Sequence, residues 1–187
     1  AFAANAWAGD TIELSSEDVV DSLGAKTFYL IDREGSLTID DVRAPAMAAR
    51  FVRGTGQHPN FGFTRDWIWL RFTVQPKPED TRPWTLEIAY PPLDAVEVYT
   101  PVRSTDGTTR YGSRATGDTV PFAAREILSP DYLFGLALQP GVPQTIYVRV
   151  RSDSSITVPM RRAAAASSFT SEGSFNAALV AAIPSPL

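Results

Sequence analysis

The sequence contains no cysteine and only one histidine, His58. Without cysteine there can be no disulfide, no thiolate nucleophile and no Cys-ligated zinc or iron–sulfur centre. A single histidine cannot build a multi-histidine metal site, and a Ser-His-Asp triad would depend on His58 alone. We therefore expect no cofactor, no metal and no enzymatic activity.

Long apolar runs and an excess of basic residues are also missing. No stretch approaches the roughly 20 apolar residues that span a bilayer. The net charge of −4 and the pI of about 5.0 give no general attraction to nucleic acid. The opening "AFAANAWAGD" is rich in small residues, which is typical of a signal-peptide remnant but also of a frayed terminus or an added tag.

The 187 residues do contain 15 prolines and 12 glycines, which divide the chain into short pieces that alternate with period two. Such pieces, separated by turn residues, predict an all-β fold, a jelly-roll antiparallel β-sandwich with one or two short helices. The predicted strands are residues 11–14, 26–32, 67–74, 84–90, 95–102, 109–114, 122–128, 132–138, 144–150 and 155–160.

Three regions follow from this pattern. Residues 1–25 form an N-terminal segment with the first strand, and residues 26–160 form the sandwich. Residues 161–187, with the run "AAAASSF", form a tail that is partly helical or disordered. Within the sandwich, "SLTIDDVRAPAMAARF" at 36–51 predicts a helical turn or short helix that ends before Pro45.

The stretch "RDWIWLRFTV" at 65–74 puts apolar residues on one face of a strand and Trp67, Trp69 and Arg71 on the other. Neighbouring strands show the same contrast. Their apolar sets predict a core between two sheets, made of Ile68, Leu70, Phe72, Val74, Leu86, Ile88, Val96, Val98, Ile146, Val148 and Val150.

The second faces combine aromatic and charged side chains, which suits sugars because flat rings stack on pyranose C–H groups and charged groups bind hydroxyls. A carbohydrate or similar small polar ligand is the expected partner. The candidate ligand-binding residues are Trp67, Trp69, Arg71, Asn60, Glu87, Glu97, Tyr99, Tyr147 and Arg149, with Arg151 on the same face and Asn60 from the loop at 54–66.

Structural interpretations remain open beside the functional one. A strand tryptophan often packs under a loop, and a nearby arginine often stacks on it or pairs with a cross-strand glutamate. Phe61 and Phe63 of the loop can plug the end of the core instead of meeting a ligand. Two further alternatives are a glycosidase pair of Glu87 and Glu97, and a structural calcium site at Asp40 and Asp41 or at Asp131 and Asp153.

Five stretches occur together in one order: "REGSLTIDDV" (33–42), "NFGFTRDWIWLRFTV" (60–74), "WTLEIAYPPLDAVEVY" (84–99), "PFAAREI" (121–127) and "QTIYVRVRSDSSITVPM" (144–160). Over residues 26–160 the chain resembles the type-2 extracellular domain of bacterial seven-transmembrane receptors with diverse intracellular signalling modules, the DISM receptors. The matching positions are Asn60, Phe61, Gly62, Phe63, Trp69, Leu70, Arg71, Tyr90, Pro91, Asp94, Glu97 and Tyr99.

The resemblance implies a periplasmic, non-enzymatic sensor domain with a sandwich like that of carbohydrate-binding modules. It implies a membrane anchor outside this chain and a cytoplasmic histidine kinase or diguanylate cyclase output, as in two-component signalling. The tail after Met160 would then be membrane-proximal. The alternative is a protein-interaction or dimerisation module with no small-molecule ligand, which pairs with a second copy or another receptor ectodomain.

Overall fold

The computed structural model describes residues 10–14, 21–104, 107–125 and 127–164. Within these residues the chain is mostly strand, with one short α-helix, α1 (Ile39–Val42), and three 3₁₀ turns (Gly24–Lys26, Pro45–Arg50 and Phe122–Ala124). The strands are β1 (Thr11–Leu14), β2 (Asp21–Ser22), β3 (Phe28–Asp32), β4 (Val52–Arg53), β5 (Asn60–Phe63), β6 (Trp67–Pro76), β7 (Trp84–Ile88), β8 (Ala95–Arg103), β9 (Thr109–Thr116), β10 (Tyr132–Leu136), β11 (Gln144–Arg151), β12 (Ser155–Thr157) and β13 (Met160–Ala164).

The larger sheet has seven strands, in the order β4-β3-β6-β11-β8-β9, with β1 also paired to β6. All pairs on the main path are antiparallel. β6 is ten residues long and has two partners along one side, because β3 pairs with its first half and β1 with its second half. The β1–β6 pair is parallel.

The smaller sheet has four antiparallel strands, in the order β10-β7-β13-β2, and β5 pairs with β12 in a separate two-stranded sheet. The core lies between the two larger sheets. It joins apolar residues of β6, β8 and β11 to Trp84, Leu86 and Ile88 of β7 and to Tyr132 and Phe134 of β10. The predicted all-β sandwich with short helices is confirmed, and so is the predicted core set, every member of which is buried.

Some local predictions differ from the structure. Residues 122–124, predicted as strand, form a 3₁₀ turn after Pro121. The loop predicted at 54–66 contains the strand β5, and Gly62 within this strand has a φ of +64°. Residues 161–164, assigned to a helical or disordered tail, extend β13 in the smaller sheet. The rest of that tail, with residues 1–9 and 15–20 of the N-terminal segment, lies outside the described residues.

Segment 33–51 covers part of the outer face of the larger sheet. Its helix α1 begins with a capping box, in which Thr38 accepts from the Asp41 amide and the Asp41 side chain accepts from the Thr38 amide. Val42 of this segment is fully buried. A second apolar cluster therefore forms beneath the segment, made of Phe28, Leu30, Val42, Phe51, Trp69 and Tyr147, with Leu37, Ile39, Met47, Tyr99 and Tyr111 at its border.

Candidate functional site

The outer face of the larger sheet brings most of the predicted ligand-binding residues together. Arg149 on β11 lies opposite Trp69 of β6 on one side and Glu97 of β8 on the other. Tyr147, two positions earlier, lies opposite Arg71 and Tyr99 in the same way. Because β6, β11 and β8 are adjacent, period-two alternation places these side chains in one continuous patch.

Part of this patch is sealed under the covering segment. Trp69 is 0% exposed, and Arg71 and Tyr147 are also buried. The Arg71 guanidinium lies 4.1 Å from the centroid of the Phe51 ring and donates to the carbonyl of Ala48 at 3.3 Å. Burial lowers the pKa of Arg71 from its ordinary value. The interpretation that Trp69, Arg71 and Tyr147 meet a ligand on an open surface is therefore wrong. The alternative interpretation, that Trp69 packs under a loop, is confirmed, because residues 33–51 fold over it.

The partly exposed remainder is organised around Arg149. One of its terminal nitrogens donates to the carbonyl of Gly35 at 2.8 Å and lies 3.8 Å from the carboxylate of Asp32. The other lies 3.5 Å from the carboxylate of Glu97. Asp32 is 3% exposed, and its carboxylate also accepts from the amide of Leu37 at 3.1 Å. A buried carboxylate, a rim carboxylate and one guanidinium thus join β3, β11 and β8.

Tyr99 extends this network toward the sealed part of the patch. Its hydroxyl donates to the Glu97 carboxylate at 2.6 Å, and its ring centroid lies 5.3 Å from that of Trp69. Burial, together with this hydrogen bond to a carboxylate, raises the pKa of Tyr99 to about 12. The phenol therefore stays protonated at neutral pH and keeps donating to Glu97.

Trp67 stands at the partly exposed end of the patch. The Arg149 guanidinium lies 4.0 Å from its ring centroid, and that of Arg151 lies at 6.0 Å. Gly35 packs so closely on the indole edge that an added Cβ would lie 2.6 Å from Cδ1. The ring is thus held in one orientation by its neighbours, as a recognition surface requires.

A groove of about 520 Å³ adjoins this cluster on the side of the 31–37 loop. Its walls are mainly polar, and the residues that line it are Ile31, Asp32, Arg33, Glu34, Ser36, Leu37 and Arg50. Arg33, Glu34 and Arg50 are exposed, so their side chains are accessible to a ligand. Asp32 connects the groove to the Arg149 network.

Two predicted residues lie elsewhere. Asn60 is exposed on β5, where its side-chain oxygen accepts from the Gly62 amide at 2.8 Å. Glu87 belongs to β7 of the smaller sheet, and Asp131 lies near it. Leu86 and Ile88 on either side of Glu87 face the core, as Val96 and Val98 do beside Glu97. The two glutamates therefore point away from opposite faces of the sandwich and cannot act as a glycosidase pair.

Three of the four carboxylates considered for calcium have local partners. Asp40 pairs with Arg43 at 2.7 Å, and Asp41 caps α1. Asp153 pairs with Arg151 at 3.4 Å. Across the part of the chain that the structure describes, no three His, Asp or Glu side chains are grouped so that they could hold a metal ion.

Asp32 was not among the residues predicted from the sequence, although it anchors the network. A signal for it existed. Alternation along β3 places Asp32 on the same face as Phe28 and Leu30, and both of those contribute to the second apolar cluster. A carboxylate in phase with two buried apolar residues needs a buried partner.

Comparisons with known proteins bear on these observations. The family model described as 7TMR-DISM extracellular 2 matches residues 24–162. A comparison with curated proteins finds no significant match. The chain is also similar to a solved structure with the description "Structural basis for the promiscuous specificity of the carbohydrate-binding modules from the beta-sandwich super family". It shares 13% identity and a TM-score of 0.33, and the match covers 82% of this chain and 61% of that one. The match thus spans less than two thirds of that structure.

The described residues contain no helix that is both long and apolar enough to cross a bilayer.

Proposed function

The chain belongs to the 7TMR-DISM extracellular 2 family, and from this premise we propose that it is the part of its receptor that binds a carbohydrate or a similar small polar ligand. Membership makes the chain an extracellular sensor domain of a receptor. The ligand class, the site and the output are the content of the proposal.

The observation that carries the proposal is the polar groove beside the Arg149 network. Its exposed lining offers two guanidinium groups, from Arg33 and Arg50, together with the carboxylate of Glu34 and the hydroxyl of Ser36. Donors and acceptors that alternate over a small area match the hydroxyl groups of a sugar. The half-buried Trp67, held by Gly35 and Arg149, supplies an aromatic edge close to the same loop.

Rigidity of the floor favours binding. The Asp32–Arg149–Glu97 network ties three strands together beneath the loop that lines the groove. A preorganised site loses less side-chain entropy when a ligand binds, so its affinity for the ligand is higher.

Isothermal titration against a panel of neutral glycans tests the proposal. We expect at least one glycan to bind, with weaker binding in Arg33→Gln and Arg50→Gln, since each variant removes an exposed guanidinium from the groove. Arg65→Gln is the matched control, because Arg65 is also exposed but does not line the groove. If no glycan binds, or if all three variants weaken binding equally, the saccharide proposal fails.

We further propose that the receptor displays this domain in the periplasm and passes the signal to a cytoplasmic kinase or diguanylate cyclase. A ligand can shift a signalling equilibrium only if it binds one of the two states more tightly than the other. A difference of about 1.4 kcal/mol in binding free energy shifts the equilibrium constant tenfold. The test is the kinase or cyclase activity of the full receptor in membranes, with and without the bound glycan. If the glycan binds but the activity is unchanged, the signalling proposal fails and the binding proposal stands.

A dimerisation module is the second candidate, and one observation favours it. Phe63 on β5 is 88% exposed, so its ring is available to pack against a partner. Sedimentation at several concentrations, with Phe63→Ser as the variant, distinguishes the two functions. A stable dimer that Phe63→Ser dissociates, in a protein that binds no glycan, would support this candidate.

A further inference from the structure

The charge of the groove describes its ligand more closely than the presence of donors and acceptors does. The exposed lining carries two guanidinium groups, of Arg33 and Arg50, and one carboxylate, of Glu34. The carboxylate of Asp32, which also lines the groove, is buried and is offset by the guanidinium of Arg149, 3.8 Å away. The accessible lining is therefore net positive, although the whole chain carries a net charge of −4.

The protein itself does not neutralise these two cations. Within the part of the chain that the structure describes, the side chain of Arg33 forms no ion pair and no hydrogen bond. The side chain of Arg50 donates only to the sulfur of Met47, at 3.6 Å. A thioether is a weak acceptor and carries no charge. Both guanidinium groups can therefore bind an anion without first breaking an ion pair.

Both arginines belong to backbone that is anchored to the sandwich. Arg33 lies in the turn that the Gly35 amide closes by donating to the carbonyl of Asp32, at 3.3 Å. Arg50 ends a 3₁₀ turn, and the next residue, Phe51, is buried. The two guanidinium groups thus reach one groove from two separate segments, each fixed beside a buried residue. This arrangement reduces the ordering that a ligand must impose.

This lining complements a single carboxylate on a skeleton that carries hydroxyl groups. A guanidinium can donate two parallel hydrogen bonds to a carboxylate, a planar match that a neutral hydroxyl group does not offer. The carboxylate of Glu34 and the hydroxyl of Ser36 remain for the hydroxyl groups of the ligand. Glu34 also disfavours a doubly charged phosphate, because like charges repel at short range. The volume of about 520 Å³ is typical of small-ligand sites.

We propose that the groove prefers saccharides that carry a carboxylate, such as uronic acids, over their neutral counterparts. In the complex, Arg33 and Arg50 donate to the carboxylate, while Glu34 and Ser36 bind hydroxyl groups of the ring. This inference rests on the proposed function, because it names the ligand class of the same groove. It goes further, since saccharide binding alone predicts no preference for a charged sugar.

Isothermal titration of the whole domain with D-glucuronate and D-galacturonate tests the preference, each against the neutral amide of the same sugar. The amide keeps the size and shape of the acid and removes its charge. We expect each acid to bind about tenfold or more tightly than its amide, as hydrogen bonds to charged groups predict. The preference should shrink when salt rises from about 20 mM to about 500 mM, because salt screens exposed charges.

Substitutions in the groove should change the preference in opposite directions. Arg33→Gln and Arg50→Gln should each lower the ratio of acid to amide affinity severalfold, since each removes one cation. Glu34→Gln should raise this ratio, because it removes a negative charge from the same rim. Arg65→Gln, an exposed arginine outside the groove, should leave it unchanged. All four side chains are exposed, so circular dichroism and the thermal midpoint should match those of the unaltered protein.

The affinity ratio separates this inference from the proposed function. If acid and amide bind the unaltered protein equally, or if both arginine variants keep the full ratio, the inference is overturned while saccharide binding stands. Inorganic phosphate that binds more tightly than the acids would also overturn it. If no acid, no amide and no neutral glycan binds, the proposed function fails and the inference fails with it.

Discussion

Arg149 connects groups that are far apart in the sequence. Its guanidinium contacts Asp32 and Gly35 from the start of the sandwich, Trp67 on β6, and Glu97 on β8. Asp32 depends on it most, because this carboxylate is buried while Glu97 remains partly exposed. The stability of the patch should therefore be sensitive to this one side chain.

We predict that Arg149→Leu lowers the free energy of unfolding by about 3 kcal/mol, because it leaves the buried Asp32 carboxylate without its cation. Arg151→Leu, two positions along the same face, should change it by less than about 0.5 kcal/mol, since its pair with Asp153 is exposed. Urea unfolding measures both. Equal losses for the two variants would show that the network contributes no more than a surface pair.

Two glycines provide a second matched comparison. Gly35 and Gly62 have almost the same left-handed backbone, with φ of +65° and +64°. An added Cβ meets Trp67 at Gly35 but nothing within 4 Å at Gly62. Gly62→Ala should thus cost about 1 kcal/mol from the backbone alone, and Gly35→Ala should cost at least about 1 kcal/mol more.

Urea unfolding gives the size of each loss, and tryptophan fluorescence gives its location. Gly35→Ala should change the emission of the folded protein because it displaces the indole of Trp67, whereas Gly62→Ala should not. If both substitutions cost the same and neither alters the emission, the close packing of Gly35 on Trp67 is absent in solution.

At the scale of elements, β1 is the unusual strand. It lies parallel to β6 and places Ile12 and Leu14 in the core, while Glu13 between them is exposed. We predict that Leu14→Ala lowers the free energy of unfolding by about 2–4 kcal/mol, the usual cost of a cavity in a core. Glu13→Ala should change it by less than about 0.5 kcal/mol. A small loss for Leu14→Ala would mean that β1 is dispensable.

The strands could be predicted from the sequence because alternation is local. The period-two spacing of Ile68, Leu70 and Phe72 identifies the core-facing side of the strand without information from any other segment. The 3₁₀ turn at 122–124 could not be predicted in the same way, since "FAAREIL" also alternates and only Pro121 before it argues against a strand. β5 was missed because "NFGF" has the glycine of a loop.

The candidate site was less predictable, for a physical reason. Whether Trp69 meets solvent depends on residues 33–51, which fold across it from about 20 to 35 positions earlier in the chain. The sequence next to Trp69 contains no pattern that indicates this covering segment. The sequence did identify the shared face of Trp67, Glu97 and Arg149, because register between neighbouring strands preserves alternation.

For the whole molecule, tyrosine ionisation should lower stability at alkaline pH. Burial raises the pKa of four of the six tyrosines, namely Tyr99, Tyr111, Tyr132 and Tyr147. A phenol with a higher pKa in the folded state keeps its proton there after the unfolded chain has lost it. The contribution of these tyrosines to stability is thus complete below about pH 10 and is lost as the pH rises from there toward 12 and beyond.

We therefore expect the unaltered protein to unfold cooperatively in this alkaline range, with phenolate absorbance from the four tyrosines rising together with the loss of circular dichroism. Tyr99→Phe removes one of these groups and should make the decline shallower. Phenolate absorbance from all six tyrosines near pH 10, with the fold intact, would contradict the burial of these rings.

The position of β13 determines how the domain is attached to whatever follows it. This strand is bonded to β7 on one side and to β2 on the other, so it is an interior member of the smaller sheet. Tension applied along the chain beyond residue 164 would act in shear on both ladders at once, since their hydrogen bonds run across the strands. Such a pull would therefore be shared by the whole smaller sheet and not carried by β13 alone.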